Sequence, residues 1–213
     1  DKTFLLVDVS ATAITDKSKK AMPFTQGGLT IATLNPPPIG PYSIQLSGTN
    51  NGFFTGADEN YDRDLTMEYY LRVASATAQY SALMTLGPAP VGSTYGVMTL
   101  YWDNTNRKNY TQIYTPEGYS NPHNGTTNVL TYGTWYHIAW VRQGNVYTLW
   151  RDGVQITSTT YKTYPIDLRN PTNTIYIADS SSTVTAQLAG IRMTSAARYT
   201  APFTPPTSSD LYG

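Results

Sequence analysis

Three of the chain's four tryptophans and one of its two histidines fall in one stretch, TWYHIAWVRQGNVYTLWRDGVQI, residues 134–156. Aromatic rings of this kind stack on sugars or close interfaces, and a histidine can carry a proton. Catalysis asks for more. Retaining glycosidases need two carboxyls roughly 5–5.5 Å apart, a separation that alternate residues on one strand face supply. The chain has three glutamates, Glu59, Glu68 and Glu117, and none has a carboxylate two residues away. Glu68 has Thr66 and Tyr70 at that spacing. No Gly-x-Ser-x-Gly elbow is present, and His123 sits in a Pro/Asn/Gly-rich loop where a solvated imidazole is the ordinary outcome. A non-enzyme is expected.

Binding chemistry is easier to assemble. The segments WDNTNRKNY (residues 102–110) and TPEGYSNPHNGTTN (residues 115–128) interleave aromatic rings with amides and hydroxyls. Rings stack on the apolar faces of sugars, and loop amides hydrogen-bond their hydroxyls. Tyr101, Trp102, Asn104, Tyr110, Tyr119, Asn121 and His123 are the candidate carbohydrate-binding residues here.

The elements that must position these residues read as strands. The chain has 213 residues, 18 of them tyrosine, with 16 Gly and 14 Pro as punctuation. A chain of this length buries roughly 70% of its extended surface and needs no covalent staple. Segments such as TFLLVDV, LTIATL, YSIQL, GFFTG, SALMTL, YGVMTLYW, KNYTQIY, TIYIA and LAGIRMT alternate or are rich in β-branched and aromatic residues. In DLTMEYYLRV, Leu65, Met67, Tyr69 and Leu71 share one face. In the opening stretch, Trp135, His137, Ala139 and Val141 share a face opposite Tyr136, Ile138, Trp140 and Arg142. Both faces are largely apolar, which predicts a strand covered on both sides. Asp152-Gly153 predicts a two-residue hairpin turn. Strands at this spacing predict an all-β antiparallel sandwich or jelly roll, in one domain over 1–213 with a Pro-rich surface tail over 198–213.

Charge narrows the partners. With 14 basic and 14 acidic residues the formal net charge is zero, which argues against nucleic acid. The run DKSKK (residues 16–20) reads as a solvated turn. No apolar stretch approaches the ~20 residues of a membrane helix. The absence of cysteine excludes disulfides and fits folding in a reducing cytoplasm. The chain begins at Asp1 without an initiator methionine and is expected to be part of a longer chain or a processed product.

GTWYHIAWVRQGNVYTLWRDGVQI resembles the signature of laminin-G-like, concanavalin A-like jelly-roll domains. That signature is a Gly-x-Trp-x-His strand, a Gly-Asn turn and an Asp-Gly hairpin. DKSKK, SIQLSGTNNGFF and DLTMEYYLRV resemble further stretches of the same family. IRMTSAARYTAPFTPPT resembles the closing motif of the version common in tailed-phage virion proteins. The resemblance implies a framework role for Trp135, packed between the sheets, and a buried hydrogen bond for His137. It implies core or half-buried packing for Trp150. Trp140 stands where the family has a smaller residue and is added to the carbohydrate candidates. Arg151 departs from an apolar position without explanation from the sequence. Family members often hold one calcium ion at a loop rim. Asp58, Glu59, Asp62 and Asp64 in ADENYDRD are the candidate ligands, although the run reads first as a solvated loop. No other cofactor is expected. The function implied is a non-catalytic virion module, assembled in the host cytoplasm, that binds host-surface or environmental carbohydrate. The alternative is a structural capsid-decoration or tail protein, in a homotrimer, with Trp140 and the tail as contacts to other virion proteins.

Overall fold

In a computed structural model of the protein, residues 2–48, 51–56, 60–61, 64–86, 98–115, 118–120, 129–160, 166–167, 174–178 and 183–212 are described. In chain order the strands are β1 (Thr3–Val9), β2 (Ile14–Asp16), β3 (Phe24–Thr25), β4 (Thr30–Ala32), β5 (Ser43–Leu46), β6 (Gly52–Thr55), β7 (Asn60–Tyr61), β8 (Leu65–Ala76) and β9 (Tyr80–Leu86). They continue as β10 (Met98–Asp103), β11 (Lys108–Thr115), β12 (Gly118–Ser120), β13 (Trp135–Gln143), β14 (Val146–Arg151), β15 (Val154–Thr160), β16 (Ile166–Asp167), β17 (Thr174–Ile177) and β18 (Val184–Thr194). One short helix, α1 (Ser208–Tyr212), closes the described chain.

The named strands pair antiparallel in two large sheets. The first has nine strands in the order β15-β14-β13-β8-β18-β1-β2, with β5 beside the N-terminal half of β18 and β4 beyond β5. The second has seven, β12-β11-β10-β9-β17-β6-β3, and β7 pairs with β16 apart from both. This is the all-β antiparallel sandwich that the strand pattern predicts.

The core lies between the sheets because period-two alternation aims one face of each strand inward. Leu65, Met67, Tyr69 and Leu71 of β8 all enter it, as predicted, and meet Leu83, Met84, Leu100 and Trp102 of the other sheet. In β18 the inward residues are Val184, Ala186 and Leu188, then Ile191 and Met193. The register shift between Ala189 and Arg192 changes the parity there. Gly190 adopts φ 57° at that bulge, and a Cβ on it would lie 2.1 Å from Ile39 Cδ1.

β13 is covered on both faces, as its sequence predicts. Ile138 and Trp140 enter the main core, with Tyr136 packed against it. On the other face Ala139 and Val141 join Trp150 of β14 under Ala197, Tyr199 and Phe203 of the C-terminal segment. The Pro-rich tail is therefore a strap across the outer face of the nine-stranded sheet rather than a loosely lying end. The Asp152-Gly153 turn forms with φ 49° and 79°. The strap passes so closely that a Cβ at Gly153 would sit 1.6 Å from the Phe203 carbonyl oxygen, and Phe203 N–H donates to Gly153 O at 3.1 Å. Further on, Tyr70 Oη donates to Pro206 O at 2.9 Å, and Leu211 is buried beside Ile39, Tyr70 and Ala189.

Two framework expectations are corrected. Trp135 does not pack between the sheets: odd positions of β13 face outward, so its ring packs against the small outer cluster and its Nε1 donates to Asn35 O at 3.1 Å. The DKSKK turn is solvated only in part. Asp16 is buried, and its carboxylate accepts from the backbone N–H of Leu6, Ser18 and Met22, which ties β1 to the turn.

Candidate functional site

Glu68 is the residue whose surroundings most resemble a catalytic centre. Its position on the outward face of β8 brings it under the strap, where its side chain is wholly buried. It accepts from Arg192 Nε at 2.7 Å, Tyr199 Oη at 2.6 Å and His137 Nε2 at 3.1 Å, and the exposed Arg198 lies 3.4 Å away. Burial alone would raise the carboxyl pKa. The hydrogen bonds from His137 and Arg192, the Arg192 charge and the Tyr199 hydroxyl overturn that and bring it to about 2. Burial, then the charge and hydrogen bond of Glu68, push Tyr199 up to about 12. Tyr199 in turn stacks on Phe203, with ring centroids 3.6 Å apart at 9°. The carboxylate is thus held in its charged form at neutral pH, hydrogen-bonded on both oxygens and closed over. It anchors the strap, and His137 makes the buried hydrogen bond that the family signature implies.

The predicted carbohydrate residues scatter. Trp102 and Trp140 are fully buried in the core between the sheets, so neither presents a face to a sugar; both are corrected as ligand contacts. The even positions of β10 and β13 face inward, and a ring that large fills the centre of a sandwich. Asn104 is a turn brace: its side-chain amide donates to Ala76 O at 3.1 Å and its oxygen accepts from Tyr132 Oη. Tyr101 and Tyr110 do come together, paired across β10 and β11 and stacked at 5.1 Å, with Tyr80 edge-on to Tyr110 at 5.5 Å. Tyr110 is nearly buried by this packing, while Tyr80, which the sequence reading missed, is half exposed. The Tyr119 side chain, Asn121 and His123 lie outside the described residues.

The candidate calcium ligands fare similarly. Asp58, Glu59 and Asp62 lie outside the described residues. Asp64 uses Oδ1 to accept from Gly144 N–H at 2.9 Å, which holds the turn between β13 and β14. Among the described residues no group of three or more His, Asp or Glu side chains gathers to hold a metal. Arg151 acquires a partner that the sequence could not show: its guanidinium lies 5.6 Å over the Tyr136 ring.

A groove of about 360 Å³ opens on the outer face of the nine-stranded sheet, over β4, β5, β18 and β8. Its floor is one cross-strand row. Arg72 pairs with Gln187, Gln187 with Gln45, and Gln45 with Thr30. All four point outward because their neighbours Leu71, Leu188, Ile44 and Ile31 face the core. Gln187 is buried and its donors are spent on Leu34 O at 2.9 Å and Ser43 Oγ at 3.0 Å. Its oxygen accepts from Arg72 Nη1 at 3.0 Å, and Arg72 Nε donates to Gly133 O at 2.9 Å. Gln45 donates to Leu46 O and Ala186 O, which leaves its side-chain oxygen without a partner among the described residues. Leu34, 78% exposed, and Ala74 add aliphatic surface. Fixed donors and acceptors beside apolar patches can hold a polyhydroxylated ligand. Alternation alone places Arg72 and Gln45 on outward faces; the register that aligns them with Gln187 and Thr30 was not legible.

The fold has solved counterparts. Domain 4 of AbnA, a GH43 extracellular arabinanase from Geobacillus stearothermophilus, solved in complex with arabinotriose, superposes with TM-score 0.70 at 12% identity, covering 92% of this chain and 93% of that one. The binding domain of botulinum neurotoxin DC in complex with SialylT superposes with TM-score 0.68 at 11% identity, covering 92% of this chain and 48% of that one. Trypanosoma rangeli sialidase superposes with TM-score 0.60 at 12% identity, covering 98% of this chain and 31% of that one. This chain therefore spans about half of the toxin fragment and about a third of the sialidase. No curated protein matches the chain in sequence. At these identities the likeness establishes the lectin-like sandwich and nothing about ligands. The family model for the concanavalin A-like lectin/glucanases superfamily matches residues 42–201, which run from the start of β5 into the strap, and the chain belongs to that superfamily.

Proposed function

We propose that the protein is a non-catalytic carbohydrate-binding module, and that the groove floored by Arg72, Gln187, Gln45 and Thr30 is its saccharide site. The observation that carries this reading is the groove itself. Its volume of about 360 Å³ falls within the roughly 300–1,000 Å³ of small-ligand sites, and its polar groups are fixed on strands rather than on loops. The solved complexes of similar fold with arabinotriose and with SialylT support a saccharide as the ligand class. The non-catalytic reading is supported by Glu68, whose carboxylate is enclosed by Arg192, Tyr199 and His137. The virion setting, with adsorption to host-surface or environmental carbohydrate, rests on the closing motif around ARYTAPFTPPT. The structural alternative loses the two contacts that it relied on, since Trp140 is in the core and the tail is folded onto its own sheet.

The test is a glycan array with the purified domain, run with calcium and with EDTA, beside the variant Ala74→Trp. Ala74 is exposed on the groove wall, and an indole there fills it. Selective, competable binding that Ala74→Trp abolishes is the expected result. Binding that survives Ala74→Trp places the site elsewhere. Loss in EDTA assigns a cation role to residues 58–64. Silence from a folded sample in both conditions sinks the carbohydrate reading.

A further inference from the structure

Among the described residues, Arg72 is the only charged side chain that lines the groove. Both groups that hold it, the Gly133 carbonyl and the Gln187 amide oxygen, are neutral. The ion pairs among the described residues all converge on Glu68 and none includes Arg72. Most surface arginines are mobile. This one is held at Nε and Nη1, so that its direction is fixed by a buried amide and by the turn before β13. Gly133 N–H donating to Val73 O at 2.8 Å fixes that turn against β8 itself. Nη2 has no partner among the described residues and lies beside Gly133, 3.6 Å from where a Cβ would stand. The guanidinium is therefore pre-set, without a counter-ion, at one end of a row whose other members are hydrogen-bonding but uncharged.

A planar guanidinium with free donors matches a carboxylate through paired charge-assisted hydrogen bonds. A neutral sugar would leave that charge partly desolvated and unmatched, which costs affinity. We infer that the groove selects an acidic saccharide, one whose sugar carboxylate seats on Arg72 while its hydroxyls donate to Gln45 Oε1 and meet the Thr30 hydroxyl. This rests on the saccharide reading of the groove and adds the ligand's charge class to it. Gln187 is a positioning residue, since its amide touches Arg72 rather than the groove's occupant.

The experiment measures affinities for tetragalacturonate, its carboxyl-reduced neutral counterpart and a sulfated galactan tetramer. The wild type is compared with Arg72→Gln, Arg72→Lys and Ala74→Trp, each with its thermal melt recorded. The expected result is at least tenfold tighter binding of the uronate than of the neutral tetramer, weakened by added salt. That preference disappears in Arg72→Gln and is partly kept in Arg72→Lys, which retains the charge without the fork. Should Arg72→Gln melt early, the uronate-to-neutral ratio in Arg72→Lys decides instead, and an unchanged ratio there overturns the inference. Equal binding of the uronate and neutral tetramers, both abolished by Ala74→Trp, overturns the acidic preference and leaves the saccharide groove standing. Tighter binding of the sulfated tetramer than of the uronate overturns the carboxylate assignment. No binding of any probe, or binding that Ala74→Trp leaves intact, removes the groove reading and this inference with it.

Discussion

Glu68 couples the stability of this fold to acid. Its carboxyl stands at about 2 in the folded protein against 4.5 for a free side chain, because three donors and the Arg192 charge outweigh the cost of burial. A carboxylate lowered on folding stabilises the protein above its unfolded value, and that contribution is lost as pH falls through the folded value. The window therefore runs from about 4.5 down to about 2. Its amplitude is about 3 kcal/mol, at about 1.4 kcal/mol per pKa unit. Urea denaturation at a series of pH values should show this fall in the wild type. Glu68→Gln should lose much of it while costing roughly 3–5 kcal/mol at neutral pH, since Arg192 is left buried without its carboxylate. An unchanged acid slope in Glu68→Gln would assign the effect to other groups. The sequence reading found Glu68 unsuited to catalysis because no second carboxylate is near. It could not find the partners, which come from β13, β18 and the strap.

The strap over residues 197–207 and the hairpin turn beneath it are the elements that close the outer face of the nine-stranded sheet. Gly153 is needed twice at this crossing. Its φ of 79° suits a residue without Cβ, and the Phe203 carbonyl occupies the space that a Cβ would take. Backbone cannot move aside as a side chain can, so Gly153→Ala should lift the strap. The expected loss is more than about 1 kcal/mol from the backbone conformation alone. Limited proteolysis should then cut within residues 198–207 in the variant under conditions that spare the wild type. Resistance equal to wild type would mean that the strap is held by Tyr199 and Leu211 independently of this crossing. The Asp-Gly pair was readable as a turn from two residues. That a Pro-rich tail would seal a charged cluster was not, because its apolar residues, Tyr199, Phe203 and Leu211, are too widely spaced to show a period.

Across the whole molecule, β8 and β18 run side by side through the middle of the nine-stranded sheet, and the row that floors the groove crosses them to β5 and β4. Opening these amides requires the core and the strap to come apart together, whereas edge strands fray alone. Hydrogen exchange should accordingly be slowest in β8 and β18 and faster in β15, β2 and β12. Slow exchange confined to the β13–β14 hairpin instead would mean that the strap, not the sandwich core, is the most stable unit. The half of the groove floor that β8 and β18 supply, with Arg72 and Gln187, is preorganised, so a ligand should meet little ordering cost there.

The strand content, the shared face of Leu65, Met67, Tyr69 and Leu71, the two-sided burial of β13, the Asp152-Gly153 turn and the superfamily were all legible in the chain, although which face of β13 points inward was not. The strands and the turn depend on alternation and local turn chemistry, and the superfamily on the resemblance of short motifs, all of which a linear reading contains. It also made Trp102 and Trp140 look like ligand residues, since an aromatic ring has the same letter inside a sandwich as on its surface. Which face those rings take, what encloses Glu68, and the alignment of residues 30, 45, 72 and 187 in one row emerge from the folded sheets alone. Strand order and register are set by packing between distant segments, and no local pattern in the chain carries them.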